Sequence, residues 1–331
     1  MSVASVGSQE LAVALAAVRD AARICRSVQA GITPETLEKR DKSPVTIADF
    51  GSQAVVCRVV GNAFPDDPII AEEDSSELRN EENAPFLHLI HDEICRQCVH
   101  ASKEEICRWI DRGGAQHFAH RFWTLDPIDG TKGFLRKEQY AISLALIVEG
   151  QIALGVLGCP NLPLVAGDPA TSGALFYAIR GQGAFALPLE GDTAPQPIRV
   201  SATTDPAAAR FCESVESGHS SHGASERIAQ RLGITAAPLR LDSQAKYAVV
   251  ARGEADIYLR LPTKADYFEQ IWDHAGGVLI VEEAGGRVTD VAGKPLEFVH
   301  GRTLKQNRGV VVSNNLLHDA VLDAVQAVGV Q

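Results

Sequence analysis

The stretch WTLDPIDGTKGF, running from Trp123 to Phe134, decides how this chain is read. β-type residues come first and predict a buried strand, which Pro127, Gly130 and Gly133 bring to an abrupt turn. Asp126 and Asp129 flank a Pro-Ile pair at that strand end. Carboxylates in this setting suit a hard cation such as Mg²⁺, which takes oxygen ligands and keeps positions open for phosphate and water. Taken alone, the stretch also reads as a polar turn between strand and helix. The acids elsewhere in the chain weigh against that.

Working outward, carboxylates recur at the ends of other expected elements. Asp49 follows Ser43-Pro44-Val45-Thr46 at the start of a helix expected over 46–63. Glu72 closes a short apolar strand over 68–71, and Asp273 opens a helix over 272–284. Brought together, Asp49, Glu72, Asp126, Asp129 and Asp273 would repel and raise one another's pKa unless cations compensated them. A structural protein has little reason to assemble such a group, and a Mg²⁺-dependent phosphatase does. Singly, Asp49 and Asp273 also fit as acids at helix starts.

The remaining pattern predicts a layered α/β (α+β) protein. Leu11, Leu15, Val18, Ala22 and Cys25 share one helical face. The apolar runs 140–149 and 151–158 read as one antiparallel hairpin, and 173–180 with 183–187 as another. The Pro/Gly/Asp-containing loop 188–197 is the expected subdomain boundary. Beyond it short strands at 211–215, 238–241, 256–261 and 309–313 alternate with helices at 242–252, 272–284 and 316–328. We therefore expect an N-terminal α+β subdomain over 1–190 carrying most of the acids and a C-terminal α/β subdomain over 191–331. The expected architecture is an αβαβα sandwich of two sheets with a metal-binding cleft between the subdomains.

Composition narrows the partners. The 331 residues suffice for a sizeable core, and 45% hydrophobic with 22% charged residues is ordinary for a globular chain. A net charge of −11 argues against a nucleic-acid polymer but not against a small polyanion, because bound Mg²⁺ reverses the local field. Seven cysteines with no leading apolar segment read as free thiols in a reducing compartment, with the cytoplasm as the expected location. No apolar stretch approaches the roughly 20 residues of a membrane span. His88, His91, Cys95 and Cys98 form a zinc-like H-x-x-H-x₃-C-x-x-C, but Leu87, Ile90, Ile94, Ile106 and Ile110 mark the segment as amphipathic helix. Four ligands on one continuous helix would not close a tetrahedron, so ordinary helical residues are the expected reading. For 77–120 as a whole the expectation is a packing and lid element.

DPIDGTKGF, with AEED upstream and WDHAGGVLIVEEAGG downstream, resembles the lithium-sensitive, Mg²⁺-dependent phosphatase superfamily that contains inositol monophosphatase. DKSPVTIAD, GHSSH, LDSQAKY and YLRLP look most like its 3′(2′),5′-bisphosphate nucleotidases. The resemblance covers nearly the whole chain, from Asp41 to Val312. It implies one Mg²⁺ held by Glu72, Asp126 and the Ile128 carbonyl, and a second held by Asp126, Asp129 and Asp273. Asp49 and Glu72 would support a third, giving two to three ions per site, with Li⁺ as an inhibitor. It also implies that Thr131 and Asp49 orient and deprotonate the attacking water. Thr131 by itself reads equally as a hydroxyl bonded within its own turn.

The implied substrate is adenosine 3′,5′-bisphosphate, cleaved to AMP and phosphate, with 3′-phosphoadenylyl sulfate as a second candidate and a role in sulfur metabolism. The uncleaved phosphate calls for cationic and N–H donors, and His219, Ser243, Lys246 and Arg260 are the expected set, Thr131 and Asp273 also facing the substrate. Ser243 is expected to open a helix whose free N–H groups favour an anion. The interval from His219 to Ser243 is one residue longer than the family pattern, which makes His222 an alternative to His219. Lys137 stands where glycine is expected, which predicts a looser turn there. The competing enzyme reading is an inositol phosphate or polyphosphate phosphatase, which has no use for such a basic pocket.

Overall fold

In the computed structural model, two sheets alternate with three helical layers; the described residues are 6–31, 47–191, 193–215, 222–264 and 266–330. The outer layer on one side begins with α1 (Ser8–Ala30), whose Ala14, Val18, Ala21 and Cys25 face inward at helical spacing. Beside it lies α2 (Ile47–Ala63), which buries residues on nearly every side because it is wedged between α1, the first sheet and the next helices. Those are α3 (Ala84–Gln97) and α4 (Lys103–Asp111). The expected single helical segment is thus two helices, the second started by Ser102 and Glu105, whose side chains each bond the other's backbone N–H.

The first sheet has seven strands in sequence order: β1 (Ile69–Ala71), β2 (Arg121–Asp129), β3 (Ala141–Val148), β4 (Gln151–Pro163), β5 (Ser172–Ile179), β6 (Ala184–Pro188) and β7 (Gln196–Ile198). Only β1–β2 is parallel. Every residue of β3 is buried, without polar alternation, because helices cover both faces. Glu149 and Gly150 both take positive φ (51° and 75°), the two-residue turn that matches strand twist in a hairpin.

After β8 (Phe211–Glu213), α6 (His222–Leu232) and β9 (Leu239–Arg240) come α7 (Ala245–Ala251), β10 (Ile257–Arg260), α8 (Ala275–Glu283), β11 (Arg287–Thr289), β12 (Val310–Ser313) and α9 (His318–Ala327). The second sheet has the order β11-β12-β10-β8-β9. Apolar α7 and α8 form the middle layer, in one core with the inner faces of both sheets. Helices α6 and α9 close the outer face of the second sheet. Gly276 makes the middle layer possible: a Cβ there would lie 2.7 Å from Ser143 Oγ, so only glycine lets α8 cross the first sheet this closely.

Strands β7 and β11 and helix α6 have no counterpart in the sequence expectations. The two strands have three residues each, and their pairing partners, not their own pattern, define them. Strand β7 joins the first sheet from beyond residue 190. Lys137 takes φ 61°, so the turn keeps glycine-like geometry with a side chain in it and is not loosened as expected.

Candidate active site

Strand β2 runs between β1 and β3, and its register slips between Asp126 and Asp129. That bulge accommodates Pro127 and turns the strand end out of the sheet. Ala71 of β1 pairs with Leu125, so the next residues of both strands, Glu72 and Asp126, emerge side by side. Gly130 takes φ 86° and turns the chain into the short helix α5 (Thr131–Leu135); a Cβ there would meet Ser243 at 2.8 Å.

Helix α2 holds these pieces in place. Ser52 Oγ donates to the Pro127 carbonyl at 2.8 Å. Gln53 accepts from the Glu73 N–H at 3.0 Å and donates to the Glu73 carbonyl at 2.6 Å, which pins the end of β1. Asp49, in the first turn of the same helix, is buried, and its charge acts on Glu72, Glu73 and Asp126. It is not among the residues that line the cavity described below.

Asp273 arrives from the far half of the chain, just before α8. Gln244 links that half to the turn: its N–H donates to Asp129 Oδ2 at 2.5 Å, its Nε2 donates to the Trp272 carbonyl at 2.8 Å, and its Oε1 accepts from Ser143 Oγ at 3.0 Å. Arg302 adds a second link. It donates to the Ala71 carbonyl at 2.8 Å and lies 4.5 Å over the Trp272 ring, so it touches the residues that precede Glu72 and Asp273. Gln244 lies within the LDSQAKY motif but was given no role in the sequence reading, and Arg302 carried no motif signal.

The result is a dense acid cluster. Burial pushes the Glu72 carboxyl up to about 9, with Asp273, Glu73, Asp49 and Asp129 adding repulsion. Burial raises Asp273 to about 6, with Arg260 pulling down and Asp129 pushing up. Asp126 is raised well above the carboxylate range by burial first and then by Glu72, Asp129, Asp273 and Asp49. Its Oδ1 is buried with no hydrogen-bond partner among the described residues. A buried carboxylate oxygen without a donor, among acids that repel, fits a site built for a hard divalent cation. Thr131 Oγ1 donates weakly, at 3.3 Å, to the Ile128 carbonyl, the backbone oxygen of the same turn.

A cavity of about 330 Å³ opens from this cluster, with Glu72, Asp126, Asp129 and Asp273 at one end and Ser243, Lys246 and Arg260 in its wall. Tyr258 and Tyr267 complete that wall. Lys246 is fully buried, which pushes its ammonium down while Asp129 pulls it up. Its Nζ donates to the carbonyls of Ser243 (2.8 Å) and Leu241 (3.3 Å) and lies 5.2 Å from the Tyr258 ring. Arg260 is held between two acids, Glu269 at 2.7 Å and Asp273 at 3.3 Å. Glu269, absent from the sequence expectations, also faces His274 at 3.4 Å, whose other ring nitrogen meets the Tyr247 hydroxyl at 2.7 Å.

Ser243 differs from expectation in one respect. It takes φ 70°, ahead of a helix that starts at Ala245, and the Gln244 N–H beyond it is already bonded to Asp129. The helix therefore does not present the open N-terminus expected there. His219 lies outside the described residues, as do Ser43 to Thr46. The structure thus brings Asp126, Asp129, Glu72 and Asp273 into one cavity with Thr131, Ser243, Lys246 and Arg260, from five separated segments.

Comparison with known proteins agrees with the sequence resemblance. The profile of the inositol monophosphatase family matches residues 6–329. A 3′(2′),5′-bisphosphate nucleotidase of Schizosaccharomyces pombe is 46% identical over 96% of this chain and 95% of its own length. One of Dictyostelium discoideum is 41% identical over 95% of each. Among solved structures, the IMPase of Thermotoga maritima matches with a TM-score of 0.63 at 23% identity, over 96% of this chain and 97% of that one. The extragenic suppressor protein suhB of Bartonella henselae gives 0.65 at 22%, over 96% and 99%. These last two likenesses show the layered fold.

Proposed function

The chain belongs to the inositol monophosphatase family, and from that premise we propose that it is a Mg²⁺-dependent 3′(2′),5′-bisphosphate nucleotidase that hydrolyses the 3′-phosphate of adenosine 3′,5′-bisphosphate to AMP and phosphate. The observation that carries the reading is the juxtaposition, in one cavity, of an acid cluster with an orphaned Asp126 oxygen and a cationic wall of Lys246 and Arg260. Relatives of that printed name at 41–46% identity over nearly the full length support the substrate class. We take 3′-phosphoadenylyl sulfate as a second substrate of the same site, and sulfur metabolism as its setting.

Glu72, Asp126 and the Ile128 carbonyl would hold one Mg²⁺, and Asp126, Asp129 and Asp273 a second. Asp49 and Glu72 would support a third. Bound there, Mg²⁺ supplies positive charge against the phosphate and makes water nucleophilic near neutral pH. The chain's own residues then have defined tasks. Thr131 Oγ1 orients the attacking water and passes its proton towards Asp49. Lys246 and Arg260, with Ser243 and His219, grip the phosphate that is not cleaved, which fixes the nucleotide and places its other ester over the acids. Positioning and charge compensation, more than covalent chemistry, lower the barrier in phosphoryl transfer. Li⁺ would inhibit by taking a Mg²⁺ position.

The test is phosphate release in Mg²⁺ from adenosine 3′,5′-bisphosphate and inositol 1-phosphate side by side. Preference for the nucleotide is expected, and preference for the inositol ester would overturn the roles of Ser243, Lys246 and Arg260. An Asp49→Ala variant should bind nucleotide and turn over poorly; wild-type turnover would remove Asp49 from the mechanism.

A further inference from the structure

The H-x-x-H-x₃-C-x-x-C segment has no part in the cavity, and the structure separates its members. Cys98 turns from the other three, its thiol donating to the Asp20 carbonyl on α1 at 3.7 Å. On the solvent-facing side of α3, His88, His91 and Asp92 instead present donor atoms that all lie within 4.8 Å of one another. His88 Nε2 is 3.4 Å from Asp92 Oδ2, and His91 Nδ1 is 3.0 Å from Asp92 Oδ1. The two imidazole rings lie nearly parallel, 12° apart with centroids at 6.1 Å. The other nitrogen of His91 meets the Cys95 thiol at 3.6 Å, so one carboxylate and one thiol orient the rings. Among the described residues only one other group of this kind occurs, Glu269, Asp273 and His274, which shares Asp273 with the active-site cavity.

We propose that His88, His91 and Asp92 form a second metal site that takes a divalent transition ion of the zinc class. Two imidazoles and one carboxylate suit zinc, nickel or copper and are poor ligands for Mg²⁺, so the active-site ion does not compete for it. Spacings i, i+3 and i+4 place the three on one helical face, and a tetrahedral ion can reach all three by small rotations about their side chains. The fourth position is open to water, which makes this a reversible binding site, not a structural staple. The cysteines of the sequence motif are not the ligands: Asp92 replaces them. Cys95 acts on the far side of His91 as a partner that fixes the ring. The site does not depend on the reading of the active site.

Calorimetric titration of Zn²⁺ into the whole protein, in excess Mg²⁺, tests this. One zinc equivalent is expected that His88→Ala and Asp92→Asn each weaken by about tenfold or more, with Mg²⁺-dependent phosphate release unchanged. Cys98→Ser should bind as the wild type does. Unchanged zinc affinity in both His88→Ala and Asp92→Asn overturns the proposal, and so does a loss in Cys98→Ser as large as theirs. Circular dichroism of each variant separates loss of ligand from loss of fold.

Discussion

The Ser52 hydroxyl donates to the Pro127 carbonyl at 2.8 Å, tying the helix that carries Asp49 to the turn that carries Asp126 and Asp129. Both ends of this bond are buried. Ser52→Ala removes it and leaves a buried carbonyl without its donor, which costs about 1–2 kcal/mol. Because the bond sets where Asp49 sits against the turn, kcat should fall several-fold with KM little changed. Urea unfolding and steady-state kinetics on the same preparation check both; unchanged kcat at reduced stability would make Ser52 a packing residue only.

Asp126→Asn removes from the acid cluster a carboxyl that burial and its neighbours resist ionising. Without metal, the variant should be at least as stable as the wild type, since burial and four acids all disfavour the Asp126 charge. Mg²⁺ should raise the melting temperature of the wild type and leave that of Asp126→Asn nearly unmoved, and the variant should be inactive. Thermal melts with Mg²⁺ and with a chelator decide it.

Metal-free stability should fall as pH rises. Glu72 titrates at about 9 in the folded protein against an ordinary value of 4.5, and Asp273 at about 6 against 3.8. Between those limits the folded state holds protons that the unfolded state has lost. The contribution is therefore fully present below about pH 4 and is lost as pH climbs through 6 and then 9, at up to about 1.4 kcal/mol per pH unit for each proton held. Mg²⁺ should reverse the trend, because it binds the ionised carboxylates. Denaturation in chelator from pH 5 to 9 measures the slope, and a rising slope would contradict the shifts.

Arg302 braces the Glu72 strand end against Trp272, which precedes Asp273. Arg302→Ala removes the bond to Ala71 and the stacking, so Mg²⁺ should bind more weakly by about tenfold, a loss of about 1.4 kcal/mol. Arg302→Lys should recover part of it, since an ammonium keeps the charge but not the flat stack. Titration of Mg²⁺ against melting temperature reads the effect without turnover.

Lys137 holds φ 61°, a left-handed conformation that costs a side-chain residue about 1 kcal/mol. Lys137→Gly should therefore stabilise by about 0.5–1 kcal/mol with kcat unaltered, in contrast to most glycine replacements. A lowered melting temperature would mean that the Lys137 side chain makes a compensating contact.

Local chemistry is legible in the sequence alone. The end of β2 at DPID, the Glu149-Gly150 hairpin and the inward stripe of α1 each follow from turn residues or from periodicity within one segment. The acids at element ends were visible too, because a carboxylate beside a glycine turn is a local pattern. Strands β7 and β11 were not, since three residues pair only when a neighbouring strand stands ready. The partners of Arg260 were also hidden: Glu269 and Asp273 face it only because β10 and the loop before α8 meet at one edge.

The sequence by itself therefore determined the kind of chemistry, through the identity and local setting of Asp49, Glu72, Asp126, Asp129 and Asp273. Tertiary structure alone decided that Glu72 emerges beside Asp126, that Gln244 and Arg302 link the turn to the far half, and that Ser52 and Gln53 pin it from behind. The physical reason is range. Turn and helix preferences act over a few residues, whereas repulsion among buried acids and the close approach of α8 at Gly276 exist only after segments far apart in the chain have packed together.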